Sequence, residues 1–174
     1  MTIFKTDRLE IKEMKEADLP FFIELMSAPE IIDPIPAPKR TEEEIIALFN
    51  GFIDYPTNPL IKEKIIWGIH EKGKDEMIGL CGFLTNDEDQ REIGYRFRKK
   101  YWGVGYATEV TKNLIAYCFN DLELSTLTAD VNTENLKSVK VLEKFFKPVR
   151  EFYNERDQSL DRRYILEKAD WLKQ

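Results

Sequence analysis

Apolar and polar residues alternate from Leu9 in the segment RLEIKEM, which is the pattern of a strand with one buried face. The next segment, EADLPFFIELM, changes to helical spacing, and Pro20 stands near its start, where a helix tolerates proline. Three prolines in positions 34–38 of IIDPIPAPKR then predict an extended loop. Thr41 and Glu44 follow with the T-x-x-E spacing of a capping box, so a second helix is predicted to begin there.

Three further β-rich segments follow the second helix: KIIWGIHE, EMIGLCGFLT and QREIGYRFR. They are separated by the turn-forming sequences KGKD and NDED, and together they predict an antiparallel meander. His70, the only histidine of the chain, lies in the first of them. Its place in the alternation of WGIHEK predicts a surface position, so we assign it no catalytic role.

The C-terminal half alternates helices and strands. After Gly105, apolar residues at spacings of three and four give a predicted helix one apolar face: Ala107, Val110, Leu114, Tyr117 and Cys118. LSTLTADV is an unbroken β-rich run, typical of a buried central strand. NLKSVKVLEKFF is again amphipathic, with Asn135 as the predicted N-cap, and the segments around VREFYN and RRYILEKADW predict a closing hairpin. One helix thus connects the third meander strand to the buried strand, which predicts a mixed α/β domain.

Length, composition and charge restrict the possible functions. The 174 residues suit one globular domain, which we take to span 1–174, and 43% hydrophobic with 33% charged residues is the composition of a folded chain. A net charge of −6 argues against a general nucleic-acid binder, which must neutralise phosphates, and weakly favours cationic partners. We find no pattern of a signal peptide or membrane span, so we expect a cytoplasmic protein without a membrane partner. We expect a monomer or a homodimer.

The two cysteines, Cys81 and Cys118, lie among apolar residues and lack C-x-x-C spacing. With a single histidine in the chain, they do not suggest a metal site. We therefore expect buried, reduced thiols and no metal.

The segment KKYWGVGYATEV combines positive charge, two glycines and the start of a predicted helix. A helix N-terminus exposes amides that have no partner within the helix, and it carries the positive end of the helix dipole. Gly103 and Gly105 remove the side chains that would keep an anion away from those amides. Arg98, Lys99 and Lys100 add mobile positive charge beside them. These features predict a cradle for a phosphate or pyrophosphate group.

Two other phosphate-binding patterns do not fit this segment. A P-loop needs Lys and then Ser or Thr directly after its last glycine, where this chain has Tyr106 and Ala107. A Rossmann fingerprint needs a third glycine and a parallel strand at the start of the fold. On spacing alone, a tight strand-to-helix connection without a ligand is the alternative.

The segments EIGYRFRKKYWGVGYATEVTKNLIAYCF and TADVNTENLKSVKVLEKFF resemble the acyl-CoA site of the GNAT N-acetyltransferases, in the branch of the ribosomal-protein alanine acetyltransferases RimJ and RimL. TDRLEIKEM and RRYILEKADW stand where that branch has its first and last strands, so the resemblance covers most of the chain. It implies a single-domain GNAT-like fold of the α+β type. In that fold a central mixed, mostly antiparallel sheet is flanked by helices and has a V-shaped splay between two central strands. It also implies acetyl-CoA as the co-substrate.

The resemblance assigns the cofactor site residue by residue. It places the family's pyrophosphate loop and the helix start behind it on Trp102, Gly103, Val104, Gly105, Tyr106, Ala107 and Thr108. Trp102 departs from the Gln or Arg of the general pattern but agrees with this branch, and the loss is small because backbone amides bind the phosphate. Asn135 matches the asparagine that meets the cofactor beyond the buried strand. Ser138 matches the serine of the branch's N-x-x-S pattern.

Gly94 lies inside the strand EIGYRF. A glycine within a strand often marks a bulge or the close approach of another backbone, and the alternative is a glycine tolerated in an ordinary strand. The resemblance implies that this strand splays from the next one and pairs with the pantetheine arm of the cofactor. The amides near Tyr95 and Phe97 would hold the arm and polarise the thioester carbonyl.

Two residues are candidates for proton transfer. Glu92 lies two residues before Gly94 on the same strand face, so its carboxylate can accept the amine proton directly or through water; the alternative is a solvated strand carboxylate. Many family members place a tyrosine acid where this chain has Leu142, so the resemblance leaves Ser138, or a water that it holds, as the candidate acid. The alternative for Ser138 is a backbone hydrogen bond in the first turn of its helix. Phe146 stands where the branch usually has the glycine that ends this helix.

Together these observations predict an N-acetyltransferase. It would transfer an acetyl group from acetyl-CoA to a primary amine, on a peptide N-terminus or a small molecule, by direct attack in a ternary complex. One alternative is a catalytically silent acyl-CoA-binding or sensing module, and another is a binder of adenine nucleotides or dinucleotides. The acceptor amine is not identified by the sequence.

Overall fold

The computed structural model describes residues 1–33, 39–53, 64–155 and 158–173. The strands are β1 (Thr2–Lys5), β2 (Leu9–Lys12), β3 (Lys64–Glu71), β4 (Met77–Thr85), β5 (Arg91–Phe97), β6 (Thr126–Asn132), β7 (Lys147–Asn154) and β8 (Ser159–Glu167). The α-helices are α1 (Leu19–Ser27), α2 (Pro29–Ile32), α3 (Glu42–Ile53), α4 (Tyr106–Asn120), α5 (Leu136–Leu142) and α6 (Lys168–Trp171). Short 3₁₀ turns cover Glu16–Asp18 and Lys99–Tyr101. The extended loop predicted at 34–38 lies outside the described residues.

The eight strands form one sheet in the order β1-β2-β3-β4-β5-β6-β8-β7. All neighbouring strands pair antiparallel except β5 and β6, which are parallel. A parallel pair needs a crossover connection, and α4 supplies it. The predicted mixed and mostly antiparallel sheet flanked by helices is therefore confirmed.

Helices cover the two faces of this sheet and bury a hydrophobic cluster on each. The cluster on the α4 face includes Trp67, Phe83 and Leu114. The cluster on the opposite face includes Phe22 of α1 and Phe49 of α3. Because side chains alternate along a strand, the neighbouring residues Leu80 and Cys81 of β4 belong to different clusters.

Several predicted elements are confirmed. The meander β3-β4-β5, the helix after Gly105, the buried strand β6 and the hairpin β7-β8 all form. The predicted capping box also forms, since the Thr41 N–H donates to Glu44 Oε2 at 2.9 Å and the Glu44 N–H donates to Thr41 Oγ1 at 3.3 Å. In the part of the chain that the structure describes, no helix is both long and apolar enough to cross a membrane.

Other elements differ from the prediction. The first strand is β1 (Thr2–Lys5), which the sequence pattern did not indicate because a bulge between Thr2 and Phe4 breaks the alternation. The short helix α2 adds one turn after α1. The last residues of the predicted hairpin segment, Lys168–Trp171, are helical instead of extended.

The predicted surface position of His70 is wrong. The side chain is 2% exposed, because β2 and β4 flank it in the sheet and the residues around Asp18 and Asp75 cover it. Nδ1 lies 3.2 Å from the carbonyl oxygen of Asp75. Because a carbonyl oxygen can only accept, Nδ1 carries a proton and donates it to that oxygen. Burial lowers the pKa of His70, and the nearby Asp18 charge opposes that shift.

The structure also decides two questions about special residues. The β4–β5 register runs without a shift from Gly79↔Phe97 to Thr85↔Arg91, so the predicted bulge at Gly94 is absent. Phe146, which stands where a helix-ending glycine was expected, is buried in the cluster on the α4 face. Its N–H donates to the Leu142 carbonyl at 2.8 Å, and α5 ends without a residue at positive φ.

Candidate active site

An opening between β5 and β6 defines the candidate site. In the described residues, Glu92↔Thr128 is the one register pair that joins these two parallel strands. The Thr128 hydroxyl donates to the Arg91 carbonyl at 3.2 Å and accepts from Asn86 Nδ2 at 3.1 Å, which fixes the strands to each other at this point. Beyond the pair the strands diverge, as the predicted V-shaped splay requires. The edge of β5 from Ile93 onward therefore presents backbone groups that β6 does not pair.

A cavity of about 670 Å³ fills this opening and extends to both faces of the sheet. It is lined by Glu92, Gly94 and Tyr95 of β5 and by Asn135 and Ser138 at the start of α5. The structure thus brings together five residues that the sequence placed in the candidate site. Leu142 also lines the cavity and is buried. The cavity wall therefore has an aliphatic side chain at the position where the family resemblance would place a tyrosine.

The loop before α4 has the geometry of an anion cradle. Gly103 has φ +78° and Gly105 has φ +89°, in the left-handed region that favours glycine. Gly105 is the N-cap of α4, and the first intrahelical hydrogen bond runs from the Glu109 N–H to the Gly105 carbonyl. The amides of Tyr106, Ala107 and Thr108 therefore have no partner within the helix. Gly103, Val104 and Gly105 are exposed, so an anion can approach these amides.

The aromatic residues around the cradle hold it in place. Trp102 Nε1 donates to the Phe97 carbonyl at 2.8 Å, which anchors the loop to the end of β5. Phe97 and Tyr106 are buried with ring centroids 6.2 Å apart. The Tyr106 hydroxyl donates to Glu71 at 2.6 Å, and this bond, with burial, raises the pKa of Tyr106 to about 12. The side chains of these three residues pack or bond within the protein, and the Trp102 N–H donates to the Lys99 carbonyl at 3.1 Å, so only the Tyr106 amide of the three lies among the unpaired amides at the start of α4.

The prediction that Arg98 supplies mobile positive charge is wrong. Its side chain is 9% exposed and its guanidinium binds the carboxylates of Glu24 and Glu76. It also stacks on Phe21, 4.8 Å from the ring centre. Lys100 binds Glu76 as well at 2.6 Å, and the bonds from Lys100 and Arg98 lower the pKa of Glu76 to about 2. Arg98 and Lys100 therefore attach the end of β5 to its surroundings.

Other cations, which the sequence did not single out, surround the cradle. Lys144 Nζ donates to the Thr108 hydroxyl at 2.9 Å in the first turn of α4. Lys137 Nζ lies 5.0 Å from the centre of the Trp102 ring. Because both lysines follow the motif by about thirty residues or more, only the packing of α5 beside α4 brings them to the loop.

Arg8 is the third cation at the cradle. Its Nη1 donates to the Val104 carbonyl at 2.9 Å, and its Nε donates to Glu109 at 2.7 Å. The guanidinium carbon lies 4.5 Å from the centre of the Tyr106 ring. A Cβ built on Gly105 would lie 3.3 Å from Arg8 Nη2, so the guanidinium reaches the left-handed glycine itself.

The hydroxyl groups of Tyr95 and Ser138 are neighbours in the wall of the cavity. Burial raises the pKa of Tyr95, and the neighbouring Ser138 side chain acts in the opposite direction. The backbone N–H of Ser138 donates to Asn135 Oδ1 at 3.3 Å, which confirms Asn135 as the N-cap of α5. The cap fixes the first turn of α5, and with it the position of the Ser138 hydroxyl, beside Tyr95.

The cysteines are buried, as expected from the sequence, and Cys81 contributes only to the cavity wall. Cys81 and Cys118 are free and buried. Burial raises the pKa of Cys118 to about 12 and that of Cys81 further, so both thiols stay protonated at neutral pH. Across the described ranges, no group of three or more histidine, cysteine or acidic side chains is arranged to hold a metal ion.

A splayed parallel pair beside a helix that starts at a glycine cradle defines a class of acyl-CoA-dependent transferases. The family assignment agrees, since the model of the acetyltransferase (GNAT) domain matches residues 8–145. The chain belongs to the GNAT family and is an N-acetyltransferase.

Individual relatives support this assignment. The uncharacterized N-acetyltransferase p20 of Bacillus licheniformis is 30% identical over 149 residues, which cover 82% of this chain and 80% of that protein. An acetyltransferase structure from Bacillus anthracis superposes with a TM-score of 0.81 at 23% identity over 97% of this chain and 99% of that one. A structure of spermidine N-acetyltransferase from Vibrio cholerae in complex with CoA and spermine has a TM-score of 0.77 at 20% identity, covering 94% and 98% of the two chains.

Proposed function

We propose that this protein transfers the acetyl group of acetyl-CoA to a primary amine by direct attack in a ternary complex, with residues 1–174 acting as one catalytic unit. The observation that carries the proposal is the alignment of two features along β5. The cradle of Gly103 and Gly105 lies at the C-terminal end of the strand, and the opening toward β6 begins at Glu92. A ligand with a pyrophosphate at one end and an amide-containing arm at the other fits that arrangement.

The pyrophosphate end is bound by amides and cations. The free N–H groups of Tyr106, Ala107 and Thr108 point to the same end of α4, where the helix dipole also favours an anion. Lys144 and Arg8 add positive charge beside them. Charge-assisted hydrogen bonds of this kind are about twice as strong as neutral ones. The pantetheine arm would then pair with the edge of β5 near Tyr95 and Phe97, in the way that an extended peptide joins an open strand edge.

Proton transfer on the acceptor side falls to Glu92. The attacking amine must be neutral, because a protonated amine has no lone pair for the thioester carbon. As the C–N bond forms, the amine proton passes to the Glu92 carboxylate directly or through one water. Glu92 lines the cavity at the point where β5 and β6 separate, which is where the thioester of an arm laid along β5 would end.

Ser138 and Tyr95 stabilise the leaving group. When the C–S bond breaks, the sulfur leaves as a thiolate, and a hydroxyl hydrogen bond stabilises that charge. The Ser138 and Tyr95 side chains both line the cavity, and the Ser138 side chain lowers the pKa of Tyr95 against the effect of burial, so the two hydroxyls are neighbours that can act on the same sulfur. Because a thiolate is already a good leaving group, we expect this contribution to be smaller than that of Glu92.

The branch and the acceptor are also part of the proposal. The W-G-x-G-x-A and N-x-x-S patterns at Trp102 and Asn135 support membership of the RimJ and RimL branch, and a RimL structure in complex with coenzyme A has a TM-score of 0.77 at 16% identity. Acceptors of related proteins include spermidine, in the Vibrio cholerae enzyme named above. We therefore propose a peptide N-terminus or a small-molecule amine as the acceptor class.

Calorimetric titration with acetyl-CoA, run beside a CoA-release assay on a panel of amines, tests the proposal. A thiol reagent can follow CoA release with little background, because both cysteines of the protein are buried. We expect stoichiometric binding of acetyl-CoA and amine-dependent release of CoA. Binding without release for any amine would indicate a silent acyl-CoA module. Displacement of CoA by NAD or ATP at comparable concentration would indicate a nucleotide site instead.

A further inference from the structure

The face of β5 that looks away from α4 carries a cation whose charge is not neutralised within the described residues. Glu92, Gly94 and Arg96 share that face, because side chains alternate along the strand. Arg96 Nη1 donates to the Leu25 carbonyl at 3.0 Å and to Met26 Sδ at 3.0 Å, at the last turn of α1. Among the residues that the structure describes, no carboxylate forms an ion pair with Arg96. Arginine keeps its charge at any ordinary pH, so this site holds a permanent positive charge.

The donors of Arg96 are only partly used. A guanidinium has five N–H groups, and Nη1 accounts for the two bonds to α1. In the described part of the chain, no acceptor binds the three N–H groups of Nε and Nη2. These three groups lie in the fork geometry that binds a carboxylate through two parallel hydrogen bonds. Burial and the nearby charge of Arg40 both lower the pKa of Arg96, so its surroundings favour the arrival of an anion.

The space beside Arg96 is open to a ligand. Arg96 lines the same cavity as Glu92, and Gly94 lies between them on the strand. A Cβ built on Gly94 would meet nothing within 4 Å, so the middle of this strip is free. The wall on this side is apolar and comes from both helices and the sheet: Phe22, Met26, Leu48, Phe52, Ile66 and Leu80.

From these observations we infer that the acceptor carries a carboxylate as well as its amine, and that Arg96 binds that carboxylate. This inference rests on the proposed function and specifies its acceptor class. The amine lies near Glu92 and Gly94, the carboxylate lies on Arg96, and the aliphatic part of the acceptor covers the apolar wall. Glu92 and Arg96 are four residues apart, which places their Cα atoms about 13 Å from each other before the side chains reach inward.

An acceptor series tests the inference with the whole protein. Straight-chain ω-amino acids from glycine to 6-aminohexanoate are compared with their primary amides, so that each pair differs only in the carboxylate. CoA release gives kcat/KM for every compound. We expect at least one amino acid to exceed its amide by tenfold or more in kcat/KM, which corresponds to about 1.4 kcal/mol.

The variants Arg96→Met and Arg96→Lys distinguish recognition of the acceptor carboxylate from structural support of α1. Arg96→Met keeps the length and apolar contact of the side chain but removes its charge, and we expect the acid-to-amide ratio to fall toward one. Arg96→Lys keeps the charge but loses the fork, so we expect an intermediate ratio. If Arg96 had only a structural role, Arg96→Met would lower the melting temperature and would reduce kcat/KM equally for the acid and the amide of each pair.

The outcomes distinguish this inference from the proposed function. If amides and acids are acetylated equally well by the unaltered enzyme, or if Arg96→Met leaves the ratio unchanged, the carboxylate site is wrong while N-acetylation stands. If acetyl-CoA binds but no member of either series releases CoA while other amines do, the carboxylate site is again wrong. If no amine of any class releases CoA, both the site and the proposed function are wrong.

Discussion

Arg8 in the turn between β1 and β2 binds Glu109 in the first turn of α4 through its backbone N–H at 2.8 Å and through Nε at 2.7 Å. The Thr6 hydroxyl donates to the same carboxylate. Burial raises the pKa of Glu109, but the bonds from Thr6 and Arg8 outweigh burial and hold the pKa below its usual value. An edge of the sheet 101 residues away in sequence thus fixes the start of the helix that would bind the pyrophosphate.

The Arg8–Glu109 contact leads to a prediction about cofactor affinity. Arg8→Ala removes the support of the loop and a cation beside the cradle, so acetyl-CoA affinity should fall roughly three- to tenfold, or about 0.7–1.4 kcal/mol. Calorimetric titration measures the change. Lys5→Ala, which removes a surface ion pair with Glu10 on the same edge, is the matched control and should bind as the unaltered protein does. Equal affinity in Arg8→Ala would mean that the loop holds its shape without Arg8.

A substitution at Gly105 tests the cradle itself. Gly105→Val forces a β-branched residue to φ +89° and places its Cβ 3.3 Å from Arg8 Nη2, so the loop must change shape. We expect acetyl-CoA affinity to fall by about tenfold or more. Gly51→Val is the control, because Gly51 lies in α3 with ordinary φ and a Cβ there meets nothing within 4 Å. Unchanged affinity in folded Gly105→Val would remove the cradle from the cofactor site.

Glu92 is expected to dominate the acid–base chemistry. Glu92→Gln keeps the shape of the side chain and removes its basicity, so kcat should fall on the order of a hundredfold while acetyl-CoA affinity is retained. Steady-state rates are measured at saturating acceptor from about pH 6 to about pH 9. They show whether the loss of kcat depends on the protonation state of the amine. Glu16→Gln, on an exposed carboxylate before α1, is the control. A loss smaller than about threefold would show that the amine reaches the site already neutral.

Ser138 and Tyr95 should behave as one unit. Ser138→Ala and Tyr95→Phe each remove one hydroxyl, and we expect each to lower kcat by roughly three- to thirtyfold, as for the loss of one hydrogen bond worth about 1–2 kcal/mol. The double variant should lose less than the product of the two factors, because the two side chains are neighbours in the same cavity. Thermal melting is measured on the same preparations. A lower melting temperature with unchanged kcat would assign both hydroxyls to stability alone.

The buried His70 predicts a stability change with pH. Burial lowers the pKa of His70 below the ordinary value of 6.5 in the folded protein. Below pH 6.5 the His70 side chain therefore binds a proton more readily in the unfolded chain than in the folded protein. The contribution of neutral His70 to the free energy of unfolding is fully present above pH 6.5 and decreases as the pH falls toward the folded pKa. His70→Asn removes this titration, and its fall in melting temperature from neutral to mildly acidic pH should be smaller by about 2 °C or more. Parallel curves for the two proteins would show that His70 does not titrate across the folding transition.

The sequence allowed correct prediction of the features that depend on local spacing. The helix after Gly105, the N-cap at Asn135 and the capping box at Thr41 each rest on residues within four positions of one another. The meander followed from the alternation of side chains and the turns between its strands. These signals were sufficient for the meander, for the main helices and for the loop of the candidate site.

Features that depend on distant contacts were missed or misjudged. Arg8 and Lys144 reach the cradle only because strands and helices far apart in sequence pack together. Arg98 follows the strand directly and resembles a free cation in the sequence, yet Glu24 and Glu76 bind it. His70 fits an alternating strand, but alternation does not show that both faces of that strand are covered.

A crystal structure of the protein with bound CoA tests the central claim most directly. The account predicts the pyrophosphate within hydrogen-bond distance of the amides at the N-terminus of α4, with the pantetheine arm between β5 and β6 and its sulfur near Ser138. CoA bound at another surface, or an arm that does not enter the opening between β5 and β6, would contradict it.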